Sequence, residues 1–184
     1  KLDKDIYSFK GIPYAEPPVG KNRWLPTKPI TPWSEIKDCT EYGSISPQNE
    51  AVYDNEATSE IAQSLSNQSE DCLSLNIWTP EINGDKRPVM VWIHGGAWWM
   101  GSGNEDILNP DNICRNKEFV VVSINYRLAC FGFLRLTDIT EGKIDSTGCE
   151  ALLDQIEALN WIKQNIQFFG GDENNISVIG QSAG

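Results

Sequence analysis

Residues 176–184 read Ile-Ser-Val-Ile-Gly-Gln-Ser-Ala-Gly, and the last five, Gly180, Gln181, Ser182, Ala183 and Gly184, spell GxSxG straight after an apolar run. The run suits a buried strand, and small residues around one serine suit a sharp turn that delivers its hydroxyl before a helix. The demand is steric. Such a turn strains the serine backbone and brings neighbouring backbone close, so bulky flanking side chains would collide. Three fixed positions in five also arise by chance, and the plainer reading of Ser182 is a loop serine after a buried strand.

Upstream of this stretch, Leu152, Ile156, Leu159, Ile162 and Ile166 recur every three or four positions, which predicts an amphipathic helix over residues 149–166, ended by Gly170 and Gly171. Residues 89–93 and 119–124 are nearly unbroken apolar runs, the pattern of strands covered on both faces. Leu73, Leu75 and Ile77 alternate with Ser74, Asn76 and Trp78, predicting a strand with one buried face, and Asn83-Gly84 predicts a turn after it. Residues 6–12 read as an early strand, the six prolines of residues 13–32 as extended surface chain, and the polar stretch 49–69 as a long excursion from the core. Strand, helix and strand joined by short glycine-bearing links make this an α/β fold, with a mixed, mostly parallel sheet and flanking helices.

Composition sets limits. A chain of 184 residues is long enough to bury about 70% of its unfolded surface in one core. A formal charge of −11 disfavours nucleic acid or an anionic membrane surface as partner, and no apolar run is long enough to span a bilayer. The first residue is Lys1, and no signal-peptide pattern follows it, which leaves the compartment open between bacterial cytoplasm and secretion. Five cysteines without CxxC spacing, Cys39, Cys72, Cys114, Cys130 and Cys149, indicate neither a metal cluster nor a full disulfide framework. The sequons at Asn67 and Asn175 would matter only in a secreted eukaryotic protein.

A second stretch narrows the chemistry. Trp92-Ile93-His94-Gly95-Gly96-Ala97-Trp98 runs from a buried strand into histidine and small residues, matching the HGGG-type loop of lipases and esterases. A carbonyl attacked by an alkoxide develops a negative oxygen, and preorganised N–H donors stabilise it by about 3 kcal/mol each. On this reading the donors are the N–H groups of Gly96 and Ala97, with that of Ala183 after the nucleophile. A glycine-rich turn after a strand is the plainer account of the first motif alone, but its pairing with GQSAG on a later strand weighs against coincidence.

These residues carry a family resemblance. Blocks at residues 9–20 (FKGIPYAEPPVG), 69–80 (SEDCLSLNIWTP), 91–103 (VWIHGGAWWMGSG), 124–133 (INYRLACFGF), 152–172 (LLDQIEALNWIKQNIQFFGGD) and the final GQSAG resemble, in order, the type B carboxylesterases, the cholinesterase-like branch of the α/β-hydrolases. The resemblance implies a serine esterase that acts on a small-molecule ester through an acyl-enzyme on Ser182, without metal or organic cofactor. It also implies structural ion pairs of Arg23 with Glu70 and Arg127 with Asp154. Where many members carry glutamate before the nucleophile this chain has Gln181, which removes a negative charge and puts choline-like cations in doubt. No counterpart of the cation-binding tryptophan is evident. Trp98 and Trp99 suit an apolar acyl or alcohol pocket, or simple packing. Ser46 stands where the family's cysteine usually precedes Pro and Gln, so Cys72 lacks its customary partner.

The histidine count decides what is missing. A serine hydroxyl needs a base to take its proton, and the chain has one histidine, His94, whose place before the glycines suits shaping the loop. In α/β-hydrolases the order along the chain is serine, acid, histidine, so both partners are expected after residue 184. Residues 1–184 therefore read as a single partial domain, the N-terminal part of an α/β-hydrolase, incomplete at the C-terminus. Its Ser182 strand is expected to be an unpaired edge. The rival reading is a cholinesterase-like binding or adhesion module without a triad, and a truncated product with no role is a third.

Overall fold

The computed structural model describes residues 2–3, 6–49, 67–105, 110–115 and 119–184. The polar excursion expected over residues 49–69 falls, apart from residues 49 and 67–69, outside them.

Among the described residues six strands form one sheet: β1 (Leu2–Asp3), β2 (Ile6–Pro13), β3 (Ser74–Thr79), β4 (Arg87–Ile93), β5 (Val120–Ile124) and β6 (Gly171–Gly180), in the order β1-β2-β3-β5-β4-β6. β1 to β3 pair antiparallel, as do β3 and β5, whereas β4 runs parallel to β5 on one side and β6 on the other. Parallel neighbours require crossovers. The first passes through α1 (Pro110–Arg115), and the second through α2 (Ala129–Phe133) and α3 (Glu150–Asn165). The sheet is thus mixed, with helices in its connections, and it is the parallel half that sends two chain corners off the same end.

The apolar runs become core. Val89, Val91 and Ile93 of β4, Val120, Val122 and Ile124 of β5, and Leu75 and Ile77 of β3 pack with Ala151, Ala158, Trp161 and Ile162 of α3. Each fully buried aliphatic side chain contributes about 1.5–3 kcal/mol. On the opposite face Ile6, Trp78 and Val121 close over Cys114 of α1.

Two expectations need correction. All six residues of β3 are buried, so its alternation does not mark one solvated face. Trp78 is covered by the α1 side, and Asn76 is taken up by amides, accepting from Gly11 N–H at 2.9 Å and donating to Gly103 O and Asn104 Oδ1, each at 3.2 Å. In α3 the buried face carries Ala151, Asp154, Ala158, Trp161 and Ile162, while Leu152 and Ile156 are 45% and 54% exposed. The helix is rotated because Asp154 points inward to Arg127, with Nη2···Oδ1 and Nε···Oδ2 both 2.8 Å.

That ion pair and the one between Arg23 and Glu70, with Nη2 2.7 Å from Oε1, are both present. Cys72 is buried as a free thiol, hydrogen-bonded with the Ser46 side chain, and burial pushes its pKa far up. α3 gives way to a 3-10 turn (Ile166–Phe169), and Gly170 at φ 80 closes it, so Gly171 already belongs to β6. β6 lies last in the strand order, and Val178 and Ile179 are 48% and 37% exposed. No helix among the described residues is long and apolar enough to cross a membrane.

Candidate active site

Ile93 and Gly180 end β4 and β6 as register partners. His94 and Gln181 therefore leave the sheet side by side, although the sequence separates the two motifs widely. The corners touch. A methyl group built on Gly95 would stand 2.5 Å from the carbonyl oxygen of Gln181 and 3.2 Å from Ser182 Cβ, and one on Gly184 would stand 2.1 Å from Ile93 O. Small residues are thus required by the other corner as much as by the turn that contains them.

Both corners hold left-handed backbone at residues that normally avoid it. Ser182 has φ 59, inside a turn closed by the Gly184 N–H donating to Gln181 O at 3.0 Å. Gly96, Ala97 and Trp98 follow one another at φ 102, 55 and 63, and Gly96 O accepts from the N–H groups of Trp99 at 3.0 Å and Met100 at 3.2 Å. Side chains and backbone then fasten the corners together. Trp98 Nε1–H donates to Ala183 O at 3.2 Å, and Ala129 N–H donates to Trp98 O at 2.7 Å. Among the described residues, no protein group accepts a hydrogen bond from the N–H of Gly96, Ala97 or Ala183. Three amides at one rim are left as donors without acceptors.

His94 is 2% exposed and shapes its corner from beneath. Its Nδ1 lies 2.8 Å from Gly95 O, and because a carbonyl only accepts, Nδ1 carries the proton. The ring stacks on Tyr126 with centroids 4.3 Å apart and planes 16° apart, and the Tyr126 hydroxyl donates to His94 O at 2.7 Å. Burial lowers the His94 pKa to about 4, against the opposing hydrogen bond to Gly95 O. The imidazole is therefore neutral at physiological pH. Ser182 is exposed, and no hydrogen bond from a described residue reaches its hydroxyl.

Beside the corner, an open depression of about 440 Å³ is walled by Trp98, Trp99, Cys130, Phe133 and Leu134. Trp98 tilts against Phe133 with ring centroids 5.8 Å apart. No group of three His, Cys, Asp or Glu side chains among the described residues is placed to hold a metal ion.

Sequence reasoning missed the supports of the β4 corner. Gln48, Asn76 and Asn125 surround residues 101–104, the arm that leads the chain away from it, with Asn104 Oδ1 accepting from both asparagines. They come from segments far apart in sequence, and no local period or motif flags them.

Comparisons with known proteins identify the family and the fold. A model described as the carboxylesterase family matches residues 1–184. The chain is 43% identical to a para-nitrobenzyl esterase of Bacillus subtilis over 99% of this chain and 36% of that protein, and 43% identical to a phenmedipham hydrolase of Pseudarthrobacter oxydans over 100% and 35%. It also superimposes on a carboxylesterase of Geobacillus stearothermophilus with a TM-score of 0.85 at 39% identity, covering 98% of this chain and 35% of that one. The chain thus spans about a third of the length of the relatives it matches.

Proposed function

The chain belongs to the carboxylesterase family of α/β-hydrolases, and from that premise we propose that the protein hydrolyses carboxylic esters through an acyl-enzyme on Ser182. The Ser182 oxygen attacks the ester carbonyl, and the N–H groups of Gly96, Ala97 and Ala183 stabilise the oxyanion. The alcohol leaves, and water releases the acid. Neither a metal nor an organic cofactor takes part. Residues 1–184 are the N-terminal part of a larger domain, and the carboxylate and histidine that activate Ser182 lie outside them. Alone they turn over no ester.

One observation supports this above the rest: three unpaired amide donors and a left-handed serine share the rim where β4 and β6 end in register. None of the three residues is buried, so water can satisfy these donors until a substrate oxygen displaces it, and a developing oxyanion is the acceptor that such donors stabilise. The apolar walls offered by Trp98, Trp99 and Phe133 favour an ester with an apolar half, and Gln181 offers no charge to a choline-like cation.

The second reading, a binding module of the same fold without a triad, draws on the absence of any described hydrogen bond to the Ser182 hydroxyl. Fluorophosphonate labelling of the full-length protein, with the adduct mapped by mass spectrometry, separates the two. An adduct on Ser182, together with ester turnover abolished by Ser182→Ala, is expected. An unlabelled Ser182 would favour the module. Ser182-dependent turnover by pure residues 1–184 would contradict the placement of the triad partners.

A further inference from the structure

We infer that Gln48 is a positioning residue for the oxyanion corner, acting through Gly101. The inference rests on the reading of Ser182, Gly96 and Ala97 given above. It starts from the strain in that corner. Ala97 and Trp98 hold left-handed backbone, which is unfavourable for a non-glycine residue and persists only where the surroundings fix both ends of the segment. The upstream end is fixed by β4 and by the His94 ring stacked on Tyr126.

The downstream end is Gly101, at φ 100 and pressed against the same histidine. A methyl group there would stand 2.5 Å from His94 Nδ1 and 2.7 Å from Gly95 O. Gln48 holds Gly101 in that place with both halves of its amide. Gly101 N–H donates to Gln48 Oε1 at 2.8 Å, and Gln48 Nε2 donates to Gly101 O at 3.0 Å. A single side chain thus does for Gly101 what a neighbouring strand does for a ladder residue. The amide is itself held, with Nε2 donating to Ser46 O at 3.1 Å and the Gln48 backbone N–H to Gln68 Oε1 at 2.6 Å. Two residues on, Gly103 N–H donates to Asn125 Oδ1 at 2.8 Å, so the arm is anchored a second time behind the clamp.

The chemistry selects glutamine. An ionised glutamate accepts from Gly101 N–H but has nothing to donate to Gly101 O, leucine does neither, and asparagine is one methylene short. The hydrogen bonds given above join Gln48 to Gly101, Ser46 and Gln68, not to the nucleophile or the proposed donors. Its effect reaches the reaction through the path Gly101, His94, Gly95, Gly96. Loosening that path lets the Gly96 and Ala97 amides turn off the oxyanion while leaving the ester's apolar contacts in place. The loss therefore falls on the transition state and spares ground-state binding.

The test uses the full-length enzyme with Gln48→Leu and Gln48→Glu, an activated aryl ester, and active sites counted by fluorophosphonate titration so that misfolded protein is excluded. kcat per titrated site is expected to fall about 10- to 100-fold in Gln48→Leu and less in Gln48→Glu, with KM within about twofold of wild type. Affinity for a trifluoromethyl ketone, which forms a tetrahedral oxyanion adduct, should weaken in parallel with kcat, and affinity for the matching methyl ketone should hold. Should Gln48→Leu fail to fold, Gln48→Glu carries the test alone. Unchanged kcat per titrated site, a rise in KM alone, or lost kcat with undiminished trifluoromethyl ketone binding would each overturn the inference. A wild-type protein that neither labels nor turns over would instead overturn the esterase reading on which it stands.

Discussion

Trp98 donates its indole N–H to the carbonyl oxygen of Ala183 across 3.2 Å, so a side chain from the corner after β4 fastens the turn after β6. Ala183 is also one of the three residues at this rim whose N–H has no protein acceptor among the described residues. The bond fixes the carbonyl side of Ala183 and leaves its N–H side without a protein partner among the described residues. Trp98→Phe keeps an aromatic wall against Phe133 and removes the donor. It is expected to cost about 1 kcal/mol of stability at most. Fluorophosphonate labelling of Ser182 in the full-length enzyme should slow several-fold, measured as a second-order rate constant, and an unchanged rate would show that the turn holds Ala183 without help.

Gly95→Ala should be far more damaging than its size suggests. Its methyl group meets Gln181 O at 2.5 Å, which no rotamer change relieves. Gly142→Ala is the control, because Gly142 also lacks a side chain at φ 79 yet has nothing within 4 Å of the added methyl. The control should lose about 1 kcal/mol and keep full labelling of Ser182. Gly95→Ala should lose labelling by at least two orders of magnitude, about the effect of one misplaced oxyanion donor.

The His94 ring makes stability depend on pH in a defined window. Its folded pKa of about 4 lies below the ordinary value of 6.5, so the unfolded chain binds the proton more readily. Stability from this group is complete above pH 6.5 and is lost as the pH falls toward 4, by about 3 kcal/mol in all. Urea unfolding of wild type and His94→Asn at pH 7 and pH 4.5 should show the difference between the two proteins shrinking at the lower pH. A constant difference would mean that the buried imidazole does not titrate in this range.

Asp154 lies on the buried face of α3 as the partner of Arg127, side-chain exposure 0% and 3% respectively. Asp154→Asn leaves the guanidinium buried without its counter-charge and should cost about 3–5 kcal/mol by chemical denaturation. Arg127→Met combined with Asp154→Leu should recover most of that loss, because the desolvation of both charges disappears with them. A double variant as unstable as Asp154→Asn would show that Arg127 contributes mainly through its bonds to Leu25 O and Thr27 Oγ1.

The parts of the molecule legible in sequence were those dictated locally. Unbroken aliphatic runs gave β4 and β5, and steric demand gave the small residues around Ser182 and after His94. The face of α3 was misjudged because a hydrophobic period counts Asp154 as an outside residue, whereas its charge is satisfied inside by Arg127. β3 was misjudged for a related reason: Asn76 is polar yet fully buried, with its amide bonded to Gly103 O and Ser123 Oγ. In each case a polar side chain finds its partner from a distant segment, and no window of neighbouring residues contains that partner. Gln48 was invisible on the same account.

The pairing of Ile93 with Gly180 also sets when the rim can exist. Nothing before the sixth strand supplies the second corner, and that strand cannot seat itself until the chain has closed a loop of nearly half its length over β5, an entropic toll met only by late, long-range contacts. During synthesis the first motif is therefore displayed on a ribosome-bound chain with no serine opposite it. Only when β6 zips alongside β4 does the glycine corner gain its serine-bearing neighbour, so any shorter nascent chain carries half of the rim.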